Sequence, residues 1–313
     1  MMLSVVYGAV IRTRNSLYDR GSLPARRLAR PVISVGNLSV GGSGKTPFVI
    51  ALGELLRGRG ISFDVLSRGY GRRTKGVRVV DPAGLPADFG DEPLLIARKL
   101  QSPVIVGEER YEAGAVAEKQ FSSQLHLLDD GFQHRQLARD FDIVLVTPDD
   151  ARDRLLPGGR LREPLTSLAR ADAVVLMSGA EAQSFPAGKD FWRARRGILP
   201  RDVPPRPVAF CGIARPQSFL LQLKKAGIEP AGEAVFRDHH AYTEKDVHDL
   251  LHLAQRSQAG GFVTTEKDAV NLGGLFSALS PLAVVPVRME LLDAQAALDS
   301  MLATIAQRRG TSF

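Results

Sequence analysis

The chain has 313 residues, 44% hydrophobic and 24% charged, with 30 glycines and 19 prolines. That length exceeds what one compact core holds, so two domains, or one large α/β domain with an appendage, are expected; the composition excludes disordered, collagen-like and coiled-coil classes. A single cysteine, Cys211, excludes a disulfide framework and a cysteine-built zinc cluster, and the net charge of +7 gathers at the start of the chain, where Arg12, Arg14, Arg20, Arg26, Arg27 and Arg30 face Asp19 alone.

In chain order, residues 1–11 begin an amphipathic helix. Leu3, Val6, Tyr7 and Val10 share one face, which Leu17 and Tyr18 continue after Arg14. The arginines follow the apolar run rather than precede it, so a secretory signal does not fit, and the run falls short of the roughly 18 apolar residues of a spanning helix. Residues 269–287 are uncharged but broken by Asn271, Gly273, Gly274, Pro281 and Pro286, which suits a helix end, a loop and a strand. Residues 1–20 therefore read as a helix able to lie on a membrane surface, each basic residue contributing about 1 kcal/mol near anionic lipid; simple packing on its own domain is the plainer alternative. A basic cluster confined to one end, without aromatics spread over a folded face, does not suit nucleic acid as a partner.

Short β-branched runs at 31–35, 63–66, 104–106, 125–128, 143–146 and 173–176 predict buried strands, alternating with helices over 47–57, 92–100 and 110–120. Such alternation predicts an α/β fold whose mostly parallel sheet is covered by helices on both faces. Pro200, Pro204, Pro205 and Pro207 mark a boundary. Beyond it a smaller α/β unit is expected, with strands near 208–210, 262–264 and 283–287 and helices near 216–226, 244–254 and 291–307. The domain reading is a surface helix at 1–20, a phosphate-binding domain at 21–205, and a smaller α/β domain at 206–313 closing over the site.

The first strand runs into Gly36-Asn37-Leu38-Ser39-Val40-Gly41-Gly42-Ser43-Gly44-Lys45-Thr46-Pro47. A glycine-rich turn ending in Gly-Lys-Thr suits a nucleoside triphosphate: amides curl around phosphate, the lysine reaches the β and γ oxygens, and the hydroxyl meets Mg²⁺. The following helix adds its positive dipole end. Ser39 departs from the glycine that the P-loop pattern wants at that place. Downstream, an apolar strand ends in Asp129-Asp130, acids placed to orient the metal. The guanine-specific [NT]-K-x-D pattern is missed, since Thr265-Glu266-Lys267-Asp268 carries its lysine one place late, so ATP is favoured over GTP. Taken singly, Asp91-Glu92 at a helix start, Arg110, Arg162, Glu163 and Asp238-His239-His240 have ordinary readings as caps, surface charges and a turn.

Together these segments resemble one family, the tetraacyldisaccharide 4'-kinases of lipid A biosynthesis. The resemblance rests on residues 36–47, Ser67-Arg68-Gly69-Tyr70-Gly71, Gly90-Asp91-Glu92-Pro93, Asp129-Asp130-Gly131-Phe132-Gln133-His134, the stretch from Leu156 to Pro164, Asp238-His239-His240 and Thr264-Thr265-Glu266-Lys267-Asp268. It implies transfer of the γ-phosphoryl of MgATP to the 4'-hydroxyl of a tetraacylated glucosamine disaccharide 1-phosphate, by a peripheral, monomeric protein at the cytoplasmic face of a bacterial inner membrane. It further implies that Lys45, with Ser39, Val40, Gly41, Gly42, Ser43, Gly44 and Thr46, holds the nucleotide. Thr46, Asp129 and Asp130, with Gln133 and Glu163, would order Mg²⁺. Asp91 would be the base for the sugar hydroxyl, assisted by His239 or its neighbour His240; Arg110 and Arg162 would neutralise developing charge; Arg68, Tyr70, Glu92 and His134 would shape the site. The competing readings are a P-loop ATPase or GTPase acting as a switch or metallochaperone, and an ATP-dependent nucleic-acid protein.

Overall fold

The computed structural model describes residues 2–186 and 190–310. Residue 1 of the expected surface helix and residues 311–313 of the expected second domain lie outside the described residues. Helix α1 (Met2–Asp19) leads into strand β1 (Val32–Asn37), followed by α2 (Lys45–Gly58), β2 (Phe63–Ser67), β3 (Arg78–Val79), α3 (Pro86–Phe89) and α4 (Asp91–Leu100). Next come β4 (Val104–Val106), α5 (Arg110–Gln120), β5 (Leu125–Asp129), β6 (Phe141–Val146), β7 (Ala173–Met177) and β8 (Asp190–Ile198).

These strands build a nine-stranded sheet that also contains the distant β13 (Val287–Leu292), in the order β13-β8-β7-β6-β1-β5-β2-β4-β3. Pairings from β8 to β4 are parallel; the edge strands β13 and β3 run antiparallel. The central strands read as unbroken apolar runs because both faces are covered. Ile33 and Val35 face the layer holding Leu52 and Leu56 of α2 and Leu94 of α4, whereas Val32 faces Ala113 and Ala117 of α5. Residues 199–286 form the smaller unit: β9 (Val208–Cys211), α6 (Pro216–Lys225), β10 (Gly232–Val235), α7 (Glu244–Ser257), β11 (Phe262–Thr265), α8 (Glu266–Leu272) and β12 (Leu282–Val285). Its four strands are all parallel, in the order β10-β9-β11-β12. After β13, helix α9 (Ala294–Arg309) packs Leu298, Met301 and Ile305 into the larger core.

The mostly parallel, two-sided α/β architecture is as the alternation predicts. The boundary is not. The smaller unit is an insert that ends at residue 286, and residues 287–309 rejoin the larger sheet, so a second domain running to 313 is corrected. Residues 283–287, expected as one strand, divide at Pro286, which has no N–H to donate to a ladder. Helix α1 is present, but its faces sort differently from expectation. Leu3, Val6 and Val10 are exposed, while Tyr7 turns inward and donates from Oη to the Arg162 carbonyl at 2.9 Å. Among the described residues no helix is long and apolar enough to cross a membrane.

Candidate active site

One cavity of about 830 Å³ opens at the carboxyl ends of the central strands and is walled by both units. This is where an open parallel sheet presents its binding crevice. The turn from β1 to α2 forms one wall. Gly41 (φ 86°) and Gly44 (φ 91°) take left-handed backbone there, and Gly42 lies under the side chain of Arg215, so the glycines answer to geometry. The α2 amino end points its free N–H groups into the space, a ready anion site. Lys45 Nζ sits 3.1 Å from Asn37 Oδ1 and 3.6 Å from Asp130 Oδ1.

Strand β5 delivers the acids. Asp129 is buried and takes a 3.1 Å hydrogen bond from Ser67 Oγ on Oδ2; its Oδ1 is buried without a hydrogen-bond partner among the described residues. Burial, with the negative charges of Glu92 and Asp130 and against the pull of Lys45, pushes its carboxyl up to about 7. With Asp130 and the Thr46 hydroxyl lining the same cavity, Asp129 contributes to an oxygen donor set suited to a hard divalent cation such as Mg²⁺. Asp130 behaves oppositely: burial works against its charge, but Lys45 and Arg162 hold it well below the usual carboxylate range. Arg162 grips it bidentately, with Nη1 at 3.1 Å from Oδ2 and Nη2 at 2.9 Å from Oδ1, and also reaches Asn37 Oδ1.

The other wall carries a proton-handling pair. Asp91 opens α4 after Gly90, whose φ of 90° and close approach to the Tyr70 carbonyl leave no room for a Cβ. Both Asp91 oxygens lie within hydrogen-bond distance of His239 Nδ1, at 3.0 and 2.9 Å, though 148 residues separate the two. His239 itself is left-handed (φ 57°) and is held by its N–H on the Gly212 carbonyl. Behind it Asp268 accepts from Gly212 N and Tyr242 Oη, pinning the loop. Burial would raise the Asp91 carboxyl, but His239, Lys267 and Asn271 bring it below its ordinary value; burial would lower His239, but Asp91 raises it.

Every residue assigned to the site from sequence walls this cavity except Asp91, Glu163 and His240, the alternative to His239. Asp91 is only 4% exposed and stands behind His239: Nδ1 faces Asp91, while Nε2 faces Lys267 and Asp238, which are in the wall. Glu163 is a correction. It is fully buried away from the cavity, paired with Arg170 at 2.9 Å and accepting from Asn15 Nδ2 of α1 at 2.6 Å, with no oxygen left for a metal. His240 likewise turns away, onto Asp246 at 3.0 Å. Arg110 is 6% exposed, donates from Nη1 to the Glu108 carbonyl at 2.6 Å, and among the described residues has its Nε unpartnered and no ion pair. Neighbouring His134 is pushed down to about 4 by burial and by the surrounding arginines, so it stands neutral. Sequence reasoning passed over Asn37, Lys267 and Asp268; all three lie inside the motifs quoted above, and that was the available signal.

The model of the tetraacyldisaccharide-1-P 4'-kinases matches residues 1–307. A tetraacyldisaccharide 4'-kinase of Koribacter versatilis is 51% identical over 319 aligned residues, covering 98% of this chain and 99% of the relative. One of Geobacter metallireducens is 36% identical, covering 96% and 97%. The crystal structure of Aquifex aeolicus LpxK in complex with ATP superposes with a TM-score of 0.79 at 35% identity, covering 97% of each chain. With likeness running over residues 1–307, and the phosphate turn, the paired acids and His239 lining one cavity, the chain belongs to the tetraacyldisaccharide-1-P 4'-kinase family.

Proposed function

We propose that this protein transfers the γ-phosphoryl group of ATP to the 4'-hydroxyl of a tetraacylated glucosamine disaccharide 1-phosphate. The carrying observation is that a triphosphate cradle and His239, backed by Asp91, line a single cavity. Lys45 and the amides of Gly41 to Thr46 hold the phosphates. Thr46, Asp129 and Asp130, with the unpartnered Oε1 of Gln133 beside them, fit Mg²⁺, which when bound would offset charge on the phosphate oxygens. Arg162 keeps Asp130 charged and oriented. Arg110, buried with no ion pair among the described residues, stabilises negative charge brought in by substrate. The sugar hydroxyl has a pKa far above 7, so its proton leaves only as the bond to phosphorus forms; the His239–Asp91 pair receives it at Nε2, with Asp91 orienting the ring. This exchanges the two roles expected from sequence.

The substrate's acyl chains keep it in a bilayer, so the cavity must come to the membrane. Helix α1 supports that: its exposed side is Leu3, Val5, Val6 and Val10, while its inner side, through Tyr7 and Arg14, reaches Arg162 and Gln133 of the cavity wall. We place the protein at the cytoplasmic face of the inner membrane, as a peripheral monomer. The test supplies labelled ATP and the lipid disaccharide 1-phosphate. Label is expected at the 4' position, with a severe loss in Lys45→Ala and Asp91→Ala. Release of inorganic phosphate without lipid labelling would instead support a nucleotide switch.

A further inference from the structure

Lys267, in the first turn of α8, is a basic residue of the cavity wall that the mechanism above leaves unused. Its Nζ lies 3.2 Å from His239 Nε2, 3.1 Å from Asp238 Oδ1, 3.5 Å from Glu92 Oε1 and 3.7 Å from Asp91 Oδ2. An ammonium has hydrogens to donate and no lone pair to offer, so Nε2 must accept. Nδ1, facing both carboxylate oxygens, must then carry the ring proton. The groups around the imidazole are Asp91 from α4, Asp238 from its own loop, Lys267 from α8 and the Tyr70 ring at 5.1 Å.

We propose that Lys267 is the positioning residue of the proton-receiving pair. Resting on the kinase reading, it holds His239 as the neutral Nδ1–H form docked on Asp91 and yields Nε2 only when the acceptor hydroxyl arrives. The hydroxyl proton then passes to Nε2, the oxygen's electron pair forms the bond to phosphorus, and the nucleoside diphosphate leaves with the bridging oxygen. The neighbouring ammonium works against an imidazolium and so opposes part of the rise that Asp91 gives the ring. Lys267 also stitches the insert to α4 of the larger unit, which fixes the pair's geometry across the two.

The experiment compares full-length wild type, Lys267→Met and Lys267→Arg in detergent micelles with ATP and the lipid disaccharide 1-phosphate. Without the ammonium His239 becomes more basic, so the acid limb of kcat in Lys267→Met moves up by about one pH unit, roughly a tenfold loss below the limb. Activity returns at alkaline pH, KM for ATP is unchanged, and Lys267→Arg keeps the wild-type profile. A loss uniform across pH would make the residue a structural strut, and a raised KM for ATP would make it a phosphate ligand; either overturns the proposal. Nitrogen-15 spectra of His239 in the wild type decide independently of how the variants fold. The Nδ1–H form is expected, and an Nε2–H form overturns the proposal. Should the wild type label no lipid, the kinase reading fails, while these spectra still judge the role of Lys267.

Discussion

The exposed side of α1 gives a prediction that can be worked through in numbers. Leu3, Val6 and Val10 leave 72, 56 and 60% of their surface to solvent. Full burial of such a side chain is worth about 1.5–3 kcal/mol, so sinking these three into the acyl boundary contributes roughly 3–6 kcal/mol. Replacing all three by serine should weaken vesicle binding by about 10²- to 10⁴-fold. Since these side chains leave most of their surface to solvent in the folded protein, the melting temperature and the affinity for nucleotide should stay put. Co-sedimentation with anionic phospholipid vesicles reads the effect at low and high salt; the arginine share fades with salt and the apolar share does not. Unchanged partitioning of the triple variant would refute the view that this side of the helix meets the bilayer.

Three further outcomes are expected. Arg110→Gln should lower kcat/KM by about 10²- to 10³-fold while leaving the melting temperature unchanged or higher, because a cation whose burial outweighs its nearby acids, with no ion pair among the described residues, is removed; a clear loss of stability would argue against that environment. In Gly36→Ala the new Cβ would stand 2.5 Å from Phe132 Cβ and 2.9 Å from its backbone N, costing about 1–3 kcal/mol in a denaturant titration and disturbing the Asp129–Asp130 turn; a native midpoint would refute the overlap. His126, buried on β5 against Asp64 at 2.7 Å, titrates above its ordinary value: burial opposes its charge, but Asp64 and Glu118 win. Its folded pKa being raised, its stabilisation is full below about 6.5 and is lost as pH climbs through the folded value; thermal melts should therefore fall across that range in wild type and flatten in His126→Gln.

What could be read from the sequence was local. The phosphate turn is legible because a strand, a glycine-rich turn and a helix are consecutive and their chemistry needs no distant partner. Ser39 in the place of a glycine does no harm, since it is fully buried and makes a bridge with Leu161. The failures share a cause in chain distance or alternation. Adjacent residues point to opposite sides, so Arg162 enters the cavity while Glu163 is sent to Arg170 and α1, and motif membership could not separate them. Strand β8 was missed because Arg193, Arg195 and Arg196 interrupt its apolar positions one strand in from the sheet edge, where only alternate residues are buried. Lys267 had no readable role because Asp91 and Glu92 come from the other unit, and nothing in a linear pattern brings them together.

The way the smaller unit is joined carries one more consequence. Ile198 and Val287, the last residue before it and the first after it, are direct cross-strand partners. Eighty-odd residues thus leave and re-enter through neighbouring doorways, tethered at what amounts to a single point on the sheet's rim. Excising residues 199–286 and bridging the stumps with a two-residue turn should yield a plain β-hairpin and a shortened chain that still folds and still captures triphosphate. Such a truncated form would lack His239 and Lys267, separating nucleotide capture from phosphorus transfer at a seam the chain itself provides.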